Sequence, residues 1–251
     1  MSSATRVRLF WVAAAVIAVG YAAACTRLPH FGTLVHPYAT RAVAASLHQR
    51  TSNVVSSVNF DLRAFDTLGE ESILLASVLG TLVLLRRARD ERSHRPAPGR
   101  VLPSTRLLGT VLLPITLLTG IYIVAHGQLS PGGGFQGGVI LATGLHLAYV
   151  AADYSALKRI RPLAVLDVSD AVGAGAFTAL GLAGLIAGGA YLQNVLPLGT
   201  FNQLSSGGLV PVINAAVGLE VGSGIVVLLA SFLDQAVEVS SPEESGAGGG
   251  E

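Results

Sequence analysis

Six predominantly apolar stretches alternate with polar segments along the chain. Each is about 17 to 25 residues long, which is enough for an α-helix to cross a hydrocarbon core of roughly 30 Å. The predicted spans are Leu9–Cys25, Thr67–Leu85, Leu107–Ala125, Phe135–Ala152, Ala171–Leu192 and Leu209–Leu233. The pattern therefore predicts an all-α fold, a polytopic membrane bundle of about six helices.

The polar residues between these spans predict the orientation of the bundle. Arginine and lysine collect on the cytoplasmic side of a membrane protein. With the N-terminus inside, the cations cluster in the first turns and in the second and fourth connections, whereas the opposite side holds only Arg27, Arg41, Arg50 and Arg63. Both termini are thus predicted to be cytoplasmic.

Composition narrows the class of protein. The chain is 51% hydrophobic and only 12% charged, which is too little charge for an ordinary soluble domain. The net charge of +1 and the absence of a basic, aromatic-rich run argue against nucleic-acid binding. Cys25 is the single cysteine, which excludes an internal disulfide and a multi-cysteine metal site.

The first span has two possible interpretations. Arg6 and Arg8 precede the apolar run, which ends in three alanines and Cys25, as in a signal peptide or a lipoprotein leader. The run is also long enough to cross the bilayer, and more spans follow it. The second point favours a retained membrane anchor.

The connections suggest two modules. The stretch 86–105 is polar and Arg-rich, as expected for a linker, and it places a two-span domain at 1–100 and a four-span domain at 101–240. The tail at 241–251 consists mainly of Gly, Ser and Glu and is predicted to be disordered. The polar segment 26–66 is too small to fold alone, so we expect it to pack on a neighbour.

Glu220 lies near the middle of the sixth span. A charged side chain there costs roughly 2.5–3.5 kcal/mol on insertion scales. Its helical neighbours Ala216 and Gly224 are small, so Glu220 is expected to face another helix rather than lipid. It could take part in proton or cation transfer, or it could only be hydrogen-bonded to an adjacent subunit for assembly.

Carboxylates also stand at the start of two other spans. Thr67 and Glu70 have the spacing of a capping box, and Asp66, Glu70 and Glu71 could form the mouth of a cation path. Asp167 and Asp170 precede the fifth span, where helix capping is the expected role.

A glycine-rich turn separates the third and fourth spans. It lacks the Gly-Lys-Ser/Thr ending of a phosphate-binding loop. Glycine permits positive φ and close backbone approach, so we expect either a tight turn or broken backbone at membrane depth. The residues concerned are Pro131, Gly132, Gly133, Gly134, Gly137 and Gly138.

Small residues recur at four-residue spacing in the last two spans, which favours close helix packing. The series are Gly175, Ala179 and Ala183; Gly184 and Gly188; and Gly218 and Gly222.

Two histidines lie in or beside the spans. His126 ends the third span and His146 lies in the fourth, so each could relay protons or simply be a hydrogen-bonded packing residue. His30, His36 and His48 lack metal-ligand spacing, and no metal site is predicted.

Two segments resemble known families. The run 130–142, SPGGGFQGGVILA, resembles the signature of the MnhB-type subunit of Mrp-type multisubunit sodium/proton antiporters, and the similarity continues to about residue 240. The stretch Phe60–Leu85 resembles the two-span domain that ends the large Mrp A subunit and that occurs alone in membrane-bound hydrogenases. The chain is thus similar to a fusion of both.

This resemblance implies a non-catalytic, multi-pass subunit in a bacterial inner (plasma) membrane, exchanging sodium ions for protons with other Mrp-type subunits and without an organic cofactor. It makes Asp66, Glu70 and Glu220 candidates for the cation route. Two alternatives remain: a purely structural scaffold subunit, and a subunit of a redox-driven ion-pumping complex built from the same module.

Overall fold

The computed structural model describes residues 3–28, 36–85, 101–151 and 163–233, and these residues form helices and connecting turns without a strand. The predicted tail and most of the predicted linker lie outside them. The helices are α1 (Ser3–Thr26), α2 (Pro37–His48), α3 (Val54–Ser57), a π-helical turn (Val58–Leu62), α4 (Ala64–Leu84), α5 (Pro103–Ala125), α6 (Gly134–Ala151), α7 (Leu163–Gly188) and α8 (Val210–Leu233).

The six predicted spans correspond to α1, α4, α5, α6, α7 and α8. Among the described helices, all of these except the 18-residue α6 are long and apolar enough to cross a membrane. The all-α, multi-pass fold is therefore confirmed. The fifth span differs most, because α7 is already helical at Leu163 and so includes Asp167 and Asp170, the polar residues that the prediction placed before it.

The chain divides into two compact units, residues 1–40 and 41–251. In the first unit, the apolar side chains of α1 are exposed on all sides, and Phe10 and Trp11 meet edge to face at 5.5 Å between ring centroids. Exposure all round the helix suits a segment surrounded by lipid or by partner helices.

Helix α8 is the centre of the second unit. Val210, Ile213, Val217 and Val221 are fully buried along it, and α4, α6 and α7 all pack against it. Helix α5 packs chiefly against α6. An apolar helix that is buried on most of its surface belongs to the core of its bundle.

Glycines set the distance between α6 and α8. A Cβ atom on Gly138 would lie 2.9 Å from the backbone nitrogen of Gly222 and 3.0 Å from the carbonyl oxygen of Gly218. This close approach confirms the packing role predicted for Gly218 and Gly222. Gly175 instead has open space around its Cβ position, so a neighbour for its series stays a prediction.

One end of the bundle is a layer of hydrogen-bonded turns, which we call the loop end: residues 50–63, 126–133 and 189–209. The Asn53 side chain donates to the carbonyl oxygens of Gly127 and Ser130, each at 2.8 Å. The Gln128 amide donates to the Leu204 carbonyl oxygen at 2.7 Å. The Asn53 bonds show that the second part of the polar segment 26–66 packs on the turn at 126–133 of the same chain.

The glycine-rich turn is a tight turn at this loop end. Gly132 and Gly133 have φ of 138° and 139°, which residues with a Cβ rarely adopt. Gly134 begins α6, and Gly137 and Gly138 lie inside it. Gly137 and Gly138 therefore provide close helix contacts, and the alternative of broken backbone at membrane depth stays a prediction for the turn itself.

The predicted caps are also wrong. Helix α4 begins at Ala64, so Thr67 lies inside it and donates its hydroxyl to the Asn59 carbonyl oxygen at 2.7 Å. The π-helical turn brings Asn59 into this position. Asp167 and Asp170 lie in the second and third turns of α7, past the positions where a side chain caps a helix.

Candidate ion-binding site

Glu220 is buried where α7 crosses α8. It is the eleventh residue of α8, about 15 Å along the axis from Val210 at 1.5 Å per residue, and it is 0% exposed. A Cβ atom on Gly173 of α7 would lie 2.7 Å from the backbone nitrogen of Glu220. The glycine lets the two backbones meet, so Glu220 faces protein, as predicted.

Two further carboxylates come to the same place from other helices. Glu71 of α4 is 3% exposed and Asp170 of α7 is 4% exposed. Both line the same cavity as Glu220. Glu71, Asp170 and Glu220 therefore bring together one acidic residue from each of three helices. We call these three residues the carboxylate cluster.

The sequence contained a signal for Glu71 that the prediction did not use. The buried residues of α4 are Ala64, Thr67, Glu71 and Val78, at the three- and four-residue steps of a helix face. Glu71 therefore occupies a core position. No comparable sequence pattern marked Asp170. It lies inside the bundle because α7 begins before it, whereas the polar residues of this stretch had suggested a later start for the helix.

The carboxylate cluster has no counter-charge in the described part of the chain. Glu71 Oε2, Asp170 Oδ1 and both Glu220 side-chain oxygens are buried and have no hydrogen-bond partner there. The ion pair found among the described residues joins Arg63 to Asp66 at the loop end. Since each buried, unpaired ion costs several kcal/mol, this charge needs protons, a bound cation, or a cationic side chain from outside the described residues.

Two cavities adjoin the cluster. The loop-end chamber is about 240 Å³, and its polar lining is Ser56, Asn59, Thr67, Glu70, Glu71 and Gln136. The inner chamber is a groove of about 370 Å³ between α4 and α7, with Glu71, Asp167, Asp170 and Glu220 among its lining residues. It is open to the surface of this chain beside Ser72 and Thr178, where we infer below that a partner subunit covers it. Glu71 borders both.

Each of the three carboxylates lies about two turns or more from the first described residue of its helix. Glu71 is about 10 Å along α4 from Ala64, and Glu220 is about 15 Å along α8 from Val210. Asp170 lies over Gly224, one turn further along α8, because a Cβ there would be 2.9 Å from Asp170 Oδ1. Glu220 and the side chain of Asp170 therefore lie at successive turns of α8.

The other predicted site residues lie apart from the cluster, except that Glu70 lines the loop-end chamber. Asp66 forms a half-exposed ion pair with Arg63. His126 stacks on Tyr122, with 4.0 Å between ring centroids. His146 is half-buried on α6 and lines neither chamber.

Asn214 is a buried polar residue that sequence reasoning missed. Its Oδ1 accepts from the Gly134 backbone N–H at 2.7 Å, and its Nδ2 donates to Ser56 Oγ at 3.1 Å. The side chain joins the segment before α4, the start of α6 and the helix that carries Glu220. No search for ionisable residues would have found it, because Asn is neutral.

The fold and the site define a multi-pass helical membrane protein with a carboxylate cluster inside its spans. Residues 104–227 match a domain related to the MnhB subunit of the Na⁺/H⁺ antiporter, and residues 6–100 match MbhE, a subunit of MBH. The chain belongs to this MnhB-related family and carries an MbhE domain before it. The resemblance expected for both modules is confirmed.

Relatives include an uncharacterized protein of Methanocaldococcus jannaschii, 30% identical over 71% of this chain and 76% of the relative. A probable K⁺/H⁺ antiporter A/B subunit of Rhizobium meliloti is 26% identical over 47% of this chain and 14% of its own length. The present chain therefore corresponds to a small part of that protein.

Solved membrane complexes also contain similar chains. A chain of the membrane-bound sulfane sulfur reductase, an archaeal respiratory membrane complex, is 25% identical with a TM-score of 0.71, covering 92% of this chain and 100% of that one. A chain of the Mrp complex from a Dietzia species is 25% identical with a TM-score of 0.67, covering 96% of this chain and 27% of that one. This protein is thus a membrane subunit of the Mrp- and MBH-like complexes.

Proposed function

We propose that this protein is a non-catalytic subunit of a monovalent cation/proton antiporter in the cell membrane, with sodium as the cation. It contributes both to the ion path and to assembly with the other membrane subunits. Sodium is inferred from the Na⁺/H⁺ antiporter description of the matched MnhB domain.

The observation that carries this proposal is the carboxylate cluster of Glu71, Asp170 and Glu220. Three buried acidic groups without a counter-charge in the described chain suit a site that exchanges protons for a cation, because either occupant reduces the net negative charge. Neutral residues of similar volume could fill a purely structural role at a lower cost in desolvation free energy.

The surroundings of the inner chamber also favour contact with partner subunits. In the described part of the chain, unpartnered carboxylate oxygens of Glu71, Asp170 and Glu220 line it. The helices that enclose it are long enough to span the bilayer and are exposed beside it at Ser72 and Thr178. Polar groups at membrane depth are satisfied by protein or by a water-filled cavity rather than by lipid. We infer that a helix of another subunit covers this groove.

The test is Glu220→Gln in the intact complex, which preserves size and removes the charge. In membrane vesicles, sodium-dependent proton exchange should fall at least tenfold while the complex still assembles. Asp66→Asn is the matched control, because Asp66 lies in the first turn of α4 in an ion pair with Arg63 and should tolerate the change. Full exchange in the Glu220 variant would favour a scaffold subunit.

A second candidate is a subunit of a redox-driven ion-pumping complex. The specific observation is that the similarity to the sulfane sulfur reductase complex covers all of that chain. Purification in mild detergent discriminates the two. Redox subunits that co-purify would favour the second candidate, and antiporter subunits alone would favour the first.

A further inference from the structure

Glu71 is the residue that the two chambers share. Thr67 and Glu70, on one side of α4, line the loop-end chamber, whereas Leu68 and Ser72 line the inner chamber. The Glu71 side chain lies between these two sets and is almost fully buried. It therefore stands at the boundary of both spaces.

The loop-end chamber is suited to a cation that is losing its water. Its polar lining combines the Ser56 and Thr67 hydroxyls, the Asn59 and Gln136 amides, and the Glu70 carboxylate. Oxygen atoms of these types can replace the hydration shell of a cation. With roughly the volume of several water molecules, the chamber can also hold water itself.

The inner chamber has a different chemistry. Its polar wall is acidic, with Asp167, Asp170 and Glu220, and its other wall is apolar, with Leu68, Leu75 and Leu79 of α4. Negative charge on one wall and low polarity on the other concentrate the attraction for a cation. The loop-end chamber therefore offers oxygen atoms that can replace the water around a cation, and the inner chamber offers negative charge that attracts the cation.

We propose that Glu71 is a gate residue that blocks the way between the loop-end chamber and the inner chamber and passes monovalent cations and protons from one to the other. This inference rests on the proposed ion-path function and assigns Glu71 its place in that path. The transfer forms and breaks no covalent bond to carbon. The ionised Glu71 carboxylate holds a cation, and in the protonated state one of its oxygen atoms carries the proton.

The proposed gate predicts different effects for the size and for the charge of the Glu71 side chain. Glu71→Ala removes both the obstruction and the charge, so it should open a passage between the chambers. Glu71→Gln keeps the side-chain volume and removes the charge, so the passage should stay closed to a bulky reagent while ion transfer fails. The pair of variants distinguishes a gate from a residue that only contributes charge.

Cysteine accessibility in the intact complex tests the passage directly. In a Cys25→Ser background, which removes the single native cysteine of this chain, Gln136→Cys reports on the loop-end chamber and Ala174→Cys on the inner chamber. Gln203→Cys, exposed at the loop end, identifies the membrane side to which a membrane-impermeant maleimide must be added.

With Glu71 present, the thiol introduced by Gln136→Cys should react with the maleimide, and the thiol introduced by Ala174→Cys should react at least tenfold more slowly. Glu71→Ala should bring the rate of the inner-chamber thiol close to that of the loop-end thiol, and Glu71→Gln should not. Equal labelling of the inner-chamber thiol with and without Glu71, or no labelling of it in Glu71→Ala, would overturn the gate.

Failure of the gate is distinguishable from failure of the proposed function. If Glu220→Gln leaves sodium-dependent proton exchange intact but the labelling pattern holds, the antiport assignment fails and the two-chamber arrangement stands. If exchange depends on Glu220 but the labelling rate of the inner-chamber thiol is the same with and without Glu71, the ion path stands and the gate fails.

Discussion

Asn214 of α8 accepts a 2.7 Å hydrogen bond from the backbone N–H of Gly134, the first residue of α6. The same side chain donates to Ser56 Oγ, in the segment that leads into α4. A buried amide that satisfies groups on two other elements fixes their relative position. Glu220 lies six residues further along the same helix, so the bond also sets the frame in which the carboxylate cluster forms.

The first prediction concerns this amide. Asn214→Leu should destabilise the protein by about 1–3 kcal/mol, because the Gly134 N–H and the Ser56 hydroxyl lose a buried partner. Thermal melting of the detergent-purified complex measures the effect. Gln203→Leu is the control, since the Gln203 side chain is exposed at the loop end. Equal melting temperatures for the two variants would contradict the assigned role.

The second prediction concerns the contact between α6 and α8. Gly138→Ala should cost about 1–3 kcal/mol, because the new methyl group would lie 2.8 Å from Val221 Cβ and 2.9 Å from Gly222 N. Gly69→Ala is the matched control, because Gly69 is also helical and a Cβ there meets nothing within 4 Å. The yield of folded complex and its melting temperature should drop for Gly138→Ala alone.

The third prediction uses Asp61, in the π-helical turn outside the spans. Burial raises the pKa of the Asp61 carboxyl above its usual 3.8. The native state therefore binds more protons than the unfolded state as pH rises above 3.8, and this group lowers stability at neutral pH. Asp61→Asn should then raise the melting temperature at pH 7.

This gain should shrink as the pH is lowered and disappear below the unfolded value of 3.8, where the Asp61 carboxyl is protonated in both states. Melting curves of the wild type and the variant across that range provide the check. A gain that is independent of pH would mean that Asn improves packing rather than removing a buried charge.

Most of the fold could be predicted from the sequence, because long apolar runs have few alternatives to crossing a membrane. Glu220 was found for the same reason: a charge in the middle of a span is rare. Glu71 and Asp170 were harder, because each lies near a span boundary, where a carboxylate usually caps a helix or faces water. Only the packing of α4 and α7 on α8 shows that they are buried with Glu220.

The polar network at the loop end was beyond sequence reasoning. The bonds that Asn53 and Gln128 donate join residues more than seventy positions apart, and no local pattern specifies such pairs. The orientation of the termini remains a prediction from the distribution of arginine and lysine. The modification of Gln203→Cys from one membrane side would also decide it.

The most direct test of the account is sodium-dependent proton exchange by the purified complex in liposomes, with Glu71→Gln, Asp170→Asn and Glu220→Gln introduced one at a time. The carboxylate cluster acts as one site, so each variant should assemble normally and lose at least tenfold in exchange rate, while Asp66→Asn stays near wild type. Wild-type exchange in all three cluster variants would contradict the central claim that these buried carboxylates carry the ion.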